Sequence, residues 1–196
     1  MSAAIPSRSE STRLYTPRIS GSLRMRLRAA ARAVFDAFSG SGKSLCAAES
    51  CTGGLVASSL VSIAGASGFF RGSAVCYCDA AKISALGVSP LTISEHFAES
   101  RQCAEEMARG ALALYGADAS VAATGFLDGN VGEKPAELAG AVFLCSAVRS
   151  GGGVETFCAR LSLDPSADRN FNRATAAACA LESLKLSACA SLFRRP

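Results

Sequence analysis

Apolar residues recur at helical spacing from Leu23 onward. Leu23, Leu27, Ala30, Ala31, Val34 and Phe38 mark one face, and the glycines at Gly40 and Gly42 stop the run. An amphipathic helix packed on a core is predicted there. Lys43 to Glu49 (KSLCAAE) then reads as a short buried strand that delivers the chain to Ser-Cys-Thr-Gly-Gly at a sharp turn, and a helix is expected from about Gly53 to Ile63. Phe69 to Cys78 gives a second strand, and Ala80 to Leu86 a short helix ending at Gly87. A longer helix follows from about Glu99 to Tyr115, with Cys103, Met107, Ala111 and Leu114 on its apolar stripe. Asp118 to Thr124 is a strand ending at Gly125. Residues 126–138 form a polar loop. Ala139 to Val148 and Val154 to Leu163 pair as a hairpin across Ser150 to Gly153. The last element, about Asp168 to Phe193, carries Phe171, Ala174, Ala178, Leu181 and Leu184 in helical register behind Pro165.

Helices alternating with strands, followed by a hairpin, predict an α/β fold: a single-domain three-layer α/β/α sandwich around a mixed sheet. The folded domain is expected over residues 21–196. Residues 1–20 lack an apolar period and are rich in Ser, Arg and Pro, so they read as a disordered leader. That composition is also the one organelle transit peptides show. An intracellular protein is expected, cytoplasmic, or mitochondrial if the leader is an address.

Charge and cysteine content narrow the function classes. The net charge of +4 is placed unevenly: residues 1–32 hold seven arginines against one acid, Glu10, which leaves 13 basic and 15 acidic residues for the remainder. The domain itself therefore offers no basic footprint for nucleic acid. Ser, Gly or a charge interrupts every apolar run well short of the roughly 18 residues a membrane-spanning helix needs. The nine cysteines sit mostly inside apolar stretches and read as small core residues in a reducing compartment. Neither the Cys76–Cys78 spacing nor a single histidine, His96, suits a metal, and no cofactor is expected.

Three residues carry candidate chemistry. Ser39 to Ser44 (SGSGKS) resembles a phosphate-binding loop, but Ala37 stands where a glycine is required, and the segment follows a helix and opens a strand, the reverse of what such a loop needs. Ser50 ends a strand ahead of Thr52, Gly53, Gly54 and a helix, where main-chain N–H groups converge and could hold an oxyanion or a phosphate. The same segment also reads as a plain helix start capped by Ser50 or Thr52. His96 has no strand end to position it, so a Ser-His-Asp triad is disfavoured. A serine activated by a lysine is the remaining arrangement. Lys82, five residues beyond Tyr77, is the natural base. Read alone, the two are equally an edge tyrosine and a solvated lysine.

The runs AESCTGGLVASSL (Ala48 to Leu60) and FFRGSAVCYCDAAKISALGV (Phe69 to Val88) resemble the C-terminal domain of the CinA competence/damage-inducible family. SVAATG (Ser120 to Gly125), the Lys134-Pro135 pair before Gly140 to Val142, and ADRNFNR (Ala167 to Arg173) extend the likeness over roughly residues 21–190. The resemblance implies an amidase that converts nicotinamide mononucleotide and water to nicotinic acid mononucleotide and ammonia. It casts Ser50 as nucleophile, Lys82 as base and Tyr77 as a hydrogen-bonded member of the same network. Thr52, Gly53 and Gly54 would supply main-chain donors, with Thr124 and Gly125 as the facing wall. Arg169 and Arg173, four apart on the last helix, fit the family's basic pair and are expected to take the substrate phosphate. A surface ion pair of these arginines with Asp168 is the plainer alternative.

The chain departs from the family pattern in TGFLDGNVG (Thr124 to Gly132) and in Asp79, a carboxylate where an amide is usual, which is expected to pair with Lys82. A small-molecule nucleotide is the expected partner, and a homo-oligomer is compatible with the reading. The rivals are a catalytically silent nucleotide-binding or interaction module of the same fold and an amidase for another small amide.

Overall fold

The computed structural model describes residues 14–15 and 23–192. The expected leader lies outside the described residues except at Leu14–Tyr15, which form a two-residue strand, β1, rather than free chain. The elements that follow are α1 (Leu23–Phe38), β2 (Leu45–Glu49), α2 (Leu55–Val61), β3 (Phe70–Val75), α3 (Asp79–Leu86), α4 (Pro90–His96), α5 (Arg101–Tyr115), β4 (Ala119–Gly125), β5 (Ala141–Ser150), β6 (Gly153–Ser162) and α6 (Arg169–Ser191). The sheet order is β1-β6-β5-β4-β2-β3. β3, β2 and β4 run parallel, whereas β5 is antiparallel to both β4 and β6. The sheet is therefore mixed. Among the described residues no helix is long and apolar enough to cross a membrane.

Strand periodicity sorts the core into two layers. Along β2, Leu45 and Ala47 face the layer of α1, α2 and α6, while Cys46 and Ala48 face the layer holding α5. All five β2 residues are buried, as a strand covered on both faces requires. Residues Ala30, Ala31, Val34 and Phe38 of α1 are buried in register with the predicted stripe. On α5 the buried set is Cys103, Ala104, Met107, Ala108, Ala111 and Leu112. Leu114, assigned to that stripe from sequence, is instead 54% exposed; it sits one residue before the helix ends at Tyr115, in a last turn where periodicity alone does not guarantee a packing partner.

α4 was not anticipated. Its signal is nevertheless in the chain: Ser89 accepts the Leu91 N–H as cap, and Pro90 occupies the first turn, a position that needs no N–H donor. The cysteines also depart from expectation, because Cys145 and Cys158 are bonded as a disulfide. They lie directly opposite each other on β5 and β6, with Cα atoms 4.1 Å apart, so strand register alone brings the two sulfurs together. The remaining seven cysteines are free.

Chain direction places the site. β2, β3 and β4 all end at the same side of the sheet. The path after β2 goes to α2 on one face, and the path after β3 goes to α3 on the other. The chain then returns past β2 to form β4. A crevice opens at such a switch point, outside the carboxyl ends of the strands.

Candidate active site

The first turn after β2 is built by Glu49, whose side chain is fully buried. Its carboxylate accepts the N–H groups of Val56 and Ala57, each at 3.0 Å, and the Ser73 hydroxyl at 2.9 Å. This fastens the start of α2 to the end of β2 without a side-chain cap at Gly54. Gly53 and Gly54 turn the chain with φ of 58° and 88°, a left-handed geometry that glycine adopts at little cost. Sequence reasoning passed over Glu49, although a carboxylate next to a helix start is favoured by the unpaired N–H groups there.

Ser50 comes next, held by its own N–H donating to Ala123 O at 2.9 Å. Lys82, on the inner face of α3, extends toward it, and its Nζ lies 3.1 Å from Ser50 Oγ in a donor contact. Lys82 is only 1% exposed. Among the described residues it forms no ion pair. Asp79, expected to pair with it, sits exposed in the first turn of α3, while the lysine runs inward. The thiols around Lys82 do not offer a counter-anion either: burial outweighs the lysine's charge and pushes Cys51 and Cys103 up to about 12. Removing an ammonium from water without a carboxylate partner is costly, so the arrangement needs a reason beyond packing.

A cleft of about 320 Å³ opens beside Ser50, walled by Cys51, Tyr77, Glu99, Gly125, Phe126, Asp128 and Arg169 among others. Ser50 is reached from this cleft, and Lys82 stands behind it. At Gly125, φ is 151°, and a Cβ would stand 2.3 Å from Ala141 O, so only glycine lets β4 pass this close to the start of β5.

The other sequence-predicted residues fall in two groups. Tyr77 lies beyond the end of β3 at Val75, because the chain leaves the sheet after Cys76 donates to Glu49 O at 2.8 Å. Its hydroxyl accepts from Arg169 Nη2 at 3.2 Å and makes no hydrogen bond to Ser50 or Lys82. Arg169 also pairs with Asp128, not with Asp168, which instead caps α6 by accepting the Phe171 N–H at 2.8 Å. The Asn130 N–H, with the Arg169 guanidinium beside it, holds the Asp128 carboxyl below the usual carboxylate range. Thr52, Gly53, Gly54, Thr124 and Arg173 do not wall the cleft.

Thr124 is fully buried and donates to Ala98 O at 2.8 Å. Arg173 reaches toward Gly53, with Nη1 3.7 Å from where a Cβ would stand, and its buried Nε has no partner. The Gly53 N–H is spent on Ser50 O, and those of Val56 and Ala57 on Glu49. Lys43 of the loop-like SGSGKS segment is engaged with Asp118 at 3.3 Å, between a helix and a strand as its sequence predicts. Among the described residues no group of three or more His, Cys, Asp or Glu side chains is placed to hold a metal ion.

Fold and site together define a three-layer α/β domain with a serine and a buried lysine in hydrogen-bond contact at the carboxyl ends of its parallel strands. The CinA C-terminal domain family matches residues 27–187, and the chain belongs to that family. A CinA-like protein of Mycobacterium sp. (strain JLS) is 44% identical over 125 residues, 64% of this chain and 29% of that protein. A nicotinamide-nucleotide amidohydrolase PncC of Shewanella oneidensis is 37% identical over 147 residues, covering 74% of this chain and 33% of that protein. The chain thus matches about a third of the length of these relatives. Among solved structures, the competence/damage inducible protein CihA from Agrobacterium tumefaciens superposes with a TM-score of 0.74 at 33% identity, over 86% of this chain and 97% of that one.

Proposed function

We propose that this chain is an amidohydrolase that deamidates nicotinamide mononucleotide through a Ser50 acyl-enzyme, with Lys82 as the base. The observation that carries this reading is the 3.1 Å contact between Ser50 Oγ and Lys82 Nζ, with the lysine buried and the serine at the cleft wall. The amidohydrolase name borne by the Shewanella oneidensis relative supports the substrate class. In its amine form Lys82 takes the Ser50 hydroxyl proton as Oγ bonds to the amide carbon. That proton passes to the leaving nitrogen as the C–N bond breaks, and ammonia departs. Water then attacks the ester, giving a proton to Lys82, and the acid leaves as Ser50 regains its hydrogen. No metal or organic cofactor takes part.

Tyr77, joined to Arg169, borders the same space and acts on the substrate side of the site. Arg169 and Arg173 are the cations assigned to the substrate phosphate. The turn at Thr52, Gly53 and Gly54, which follows Ser50 without walling the cleft, is assigned to the developing oxyanion, with the Thr52 and Gly54 amides as the donors not spent within the turn; Gly125 borders the cleft, and Thr124 is buried beside it. One observation favours an amide without a phosphate: Arg169 is already neutralised by Asp128.

Ammonia release from nicotinamide mononucleotide by the purified protein tests the reading, with Ser50→Ala as control. A mass shift on the Ser50 peptide in a single turnover is the expected result. Turnover that survives loss of the hydroxyl would remove the mechanism. A panel of unphosphorylated amides separates the second substrate class, and binding without turnover would favour a silent module.

A further inference from the structure

The Lys134-Pro135 pair takes no part in the chemistry above, yet the Lys134 ammonium is held by one acid and two aromatic rings near the cleft. Its ammonium pairs with the Glu99 carboxylate through Oε2. It also lies 5.1 Å from the ring centroid of Phe126 and 5.8 Å from that of Phe97, over both aromatic faces. Glu99 and Phe126 both wall the cleft that Ser50 borders, whereas Lys134 stands behind them. Glu99 Oε1 makes no hydrogen bond among the described residues, which leaves one carboxylate oxygen available to a ligand.

The backbone at this wall is strained. Phe97 has φ of 69° and ψ of 160°, a region that essentially only glycine occupies, and it is the one non-glycine residue with positive φ among the described residues. Three hydrogen bonds hold the turn: Phe97 N–H to Ile93 O at 3.0 Å, the Ser100 hydroxyl to Phe97 O at 2.8 Å, and the Thr124 hydroxyl to Ala98 O at 2.8 Å. The last of these ties the turn to β4, the strand that ends at the cleft. Such over-determined strain turns the chain sharply at the end of α4 and places Glu99 at the cleft.

We propose that Glu99 is a specificity-determining residue that accepts a hydrogen bond from the N–H2 of the ligand's amide, with the ligand's ring against Phe126, and disfavours the acid left after deamidation. The inference rests on the amidase reading above and deepens it. An ionised carboxylate is an acceptor only: it gains a partner in an amide and meets a like charge in a carboxylate. Lys134 is the positioning residue, holding Oε2 so that Oε1 faces the ligand.

The test uses the Ser50→Ala protein, in which ligands bind without turnover, and calorimetric Kd values for nicotinamide mononucleotide and nicotinic acid mononucleotide. The parent should bind the amide more tightly. Adding the isosteric Glu99→Gln should lower the amide-to-acid preference about tenfold, with Lys134→Met lowering it by less. A merely structural wall would weaken both ligands alike. An unchanged preference in a Glu99→Gln protein that melts like its parent overturns the proposal, as does a parent that favours the acid or binds neither ligand. If Glu99→Gln does not fold, the Lys134→Met ratio decides in the same way. An amide preference sensitive to Glu99 in a protein that releases no ammonia would end the catalytic reading alone, and turnover with an insensitive preference would end this inference alone.

Discussion

The Glu49 carboxylate accepts the Val56 main-chain N–H at 3.0 Å, so the residue before Ser50 clamps the helix that follows the serine. A buried acceptor with three donors cannot be deleted cheaply. Glu49→Ala should cost about 3–5 kcal/mol of stability, since two helix N–H groups and the Ser73 hydroxyl lose their partner. Glu49→Gln, which keeps one acceptor and turns an NH2 toward the donors, should cost about 1–3 kcal/mol. Chemical denaturation would measure both, and a Glu49→Ala protein as stable as the parent would contradict the clamp.

Lys82→Met separates stability from catalysis. A methionine is similar in length and removes a buried polar nitrogen held without an ion-pair partner, so the melting temperature should stay level or rise. Ammonia release should fall by roughly 10³-fold or more, as it should for Ser50→Ala. A lysine present for packing alone would give the opposite pairing of results.

Asp118 gives the acid limb of stability. Burial pushes its carboxyl up, but the Ser44 N–H and hydroxyl, together with the Lys43 ammonium, more than offset that and hold it below the usual range. The stabilisation is therefore present in full above the ordinary carboxylate pKa and is lost as pH falls through the lowered folded value. Asp118→Asn should cost about 1–2 kcal/mol at pH 7, and the gap between parent and variant should close as the solution is acidified below about pH 4. Denaturation curves at pH 7 and pH 3 would check it.

Thiol labelling reads the two classes of cysteine. Burial pushes Cys46, Cys51 and Cys103 up to about 12 and Cys179 up to about 11, which leaves them protonated and shielded at neutral pH. Cys78 and Cys189 are exposed. A thiol reagent at pH 8 should modify these two in the native protein and the buried thiols only on unfolding. Rapid labelling of the Cys51 peptide in the folded state would show the cleft wall to be more open than the structure has it.

Local pattern and tertiary contact contributed differently to this protein. Period-2 and period-3.6 apolar spacing, with Gly87 and Pro165 as stops and starts, determined the layers and nearly every element from the chain alone, because burial of one face acts residue by residue along an element. The Ser50 turn was legible for the same reason: strand end, paired glycines and helix start are neighbours in sequence. Only the folded chain decided that Lys82 is buried against Ser50, that Tyr77 bonds to Arg169, and that Arg169 pairs with Asp128, since these contacts join segments 32, 92 and 41 residues apart. Side-chain direction at such range depends on how strands cross and where loops close, and no local periodicity carries that information.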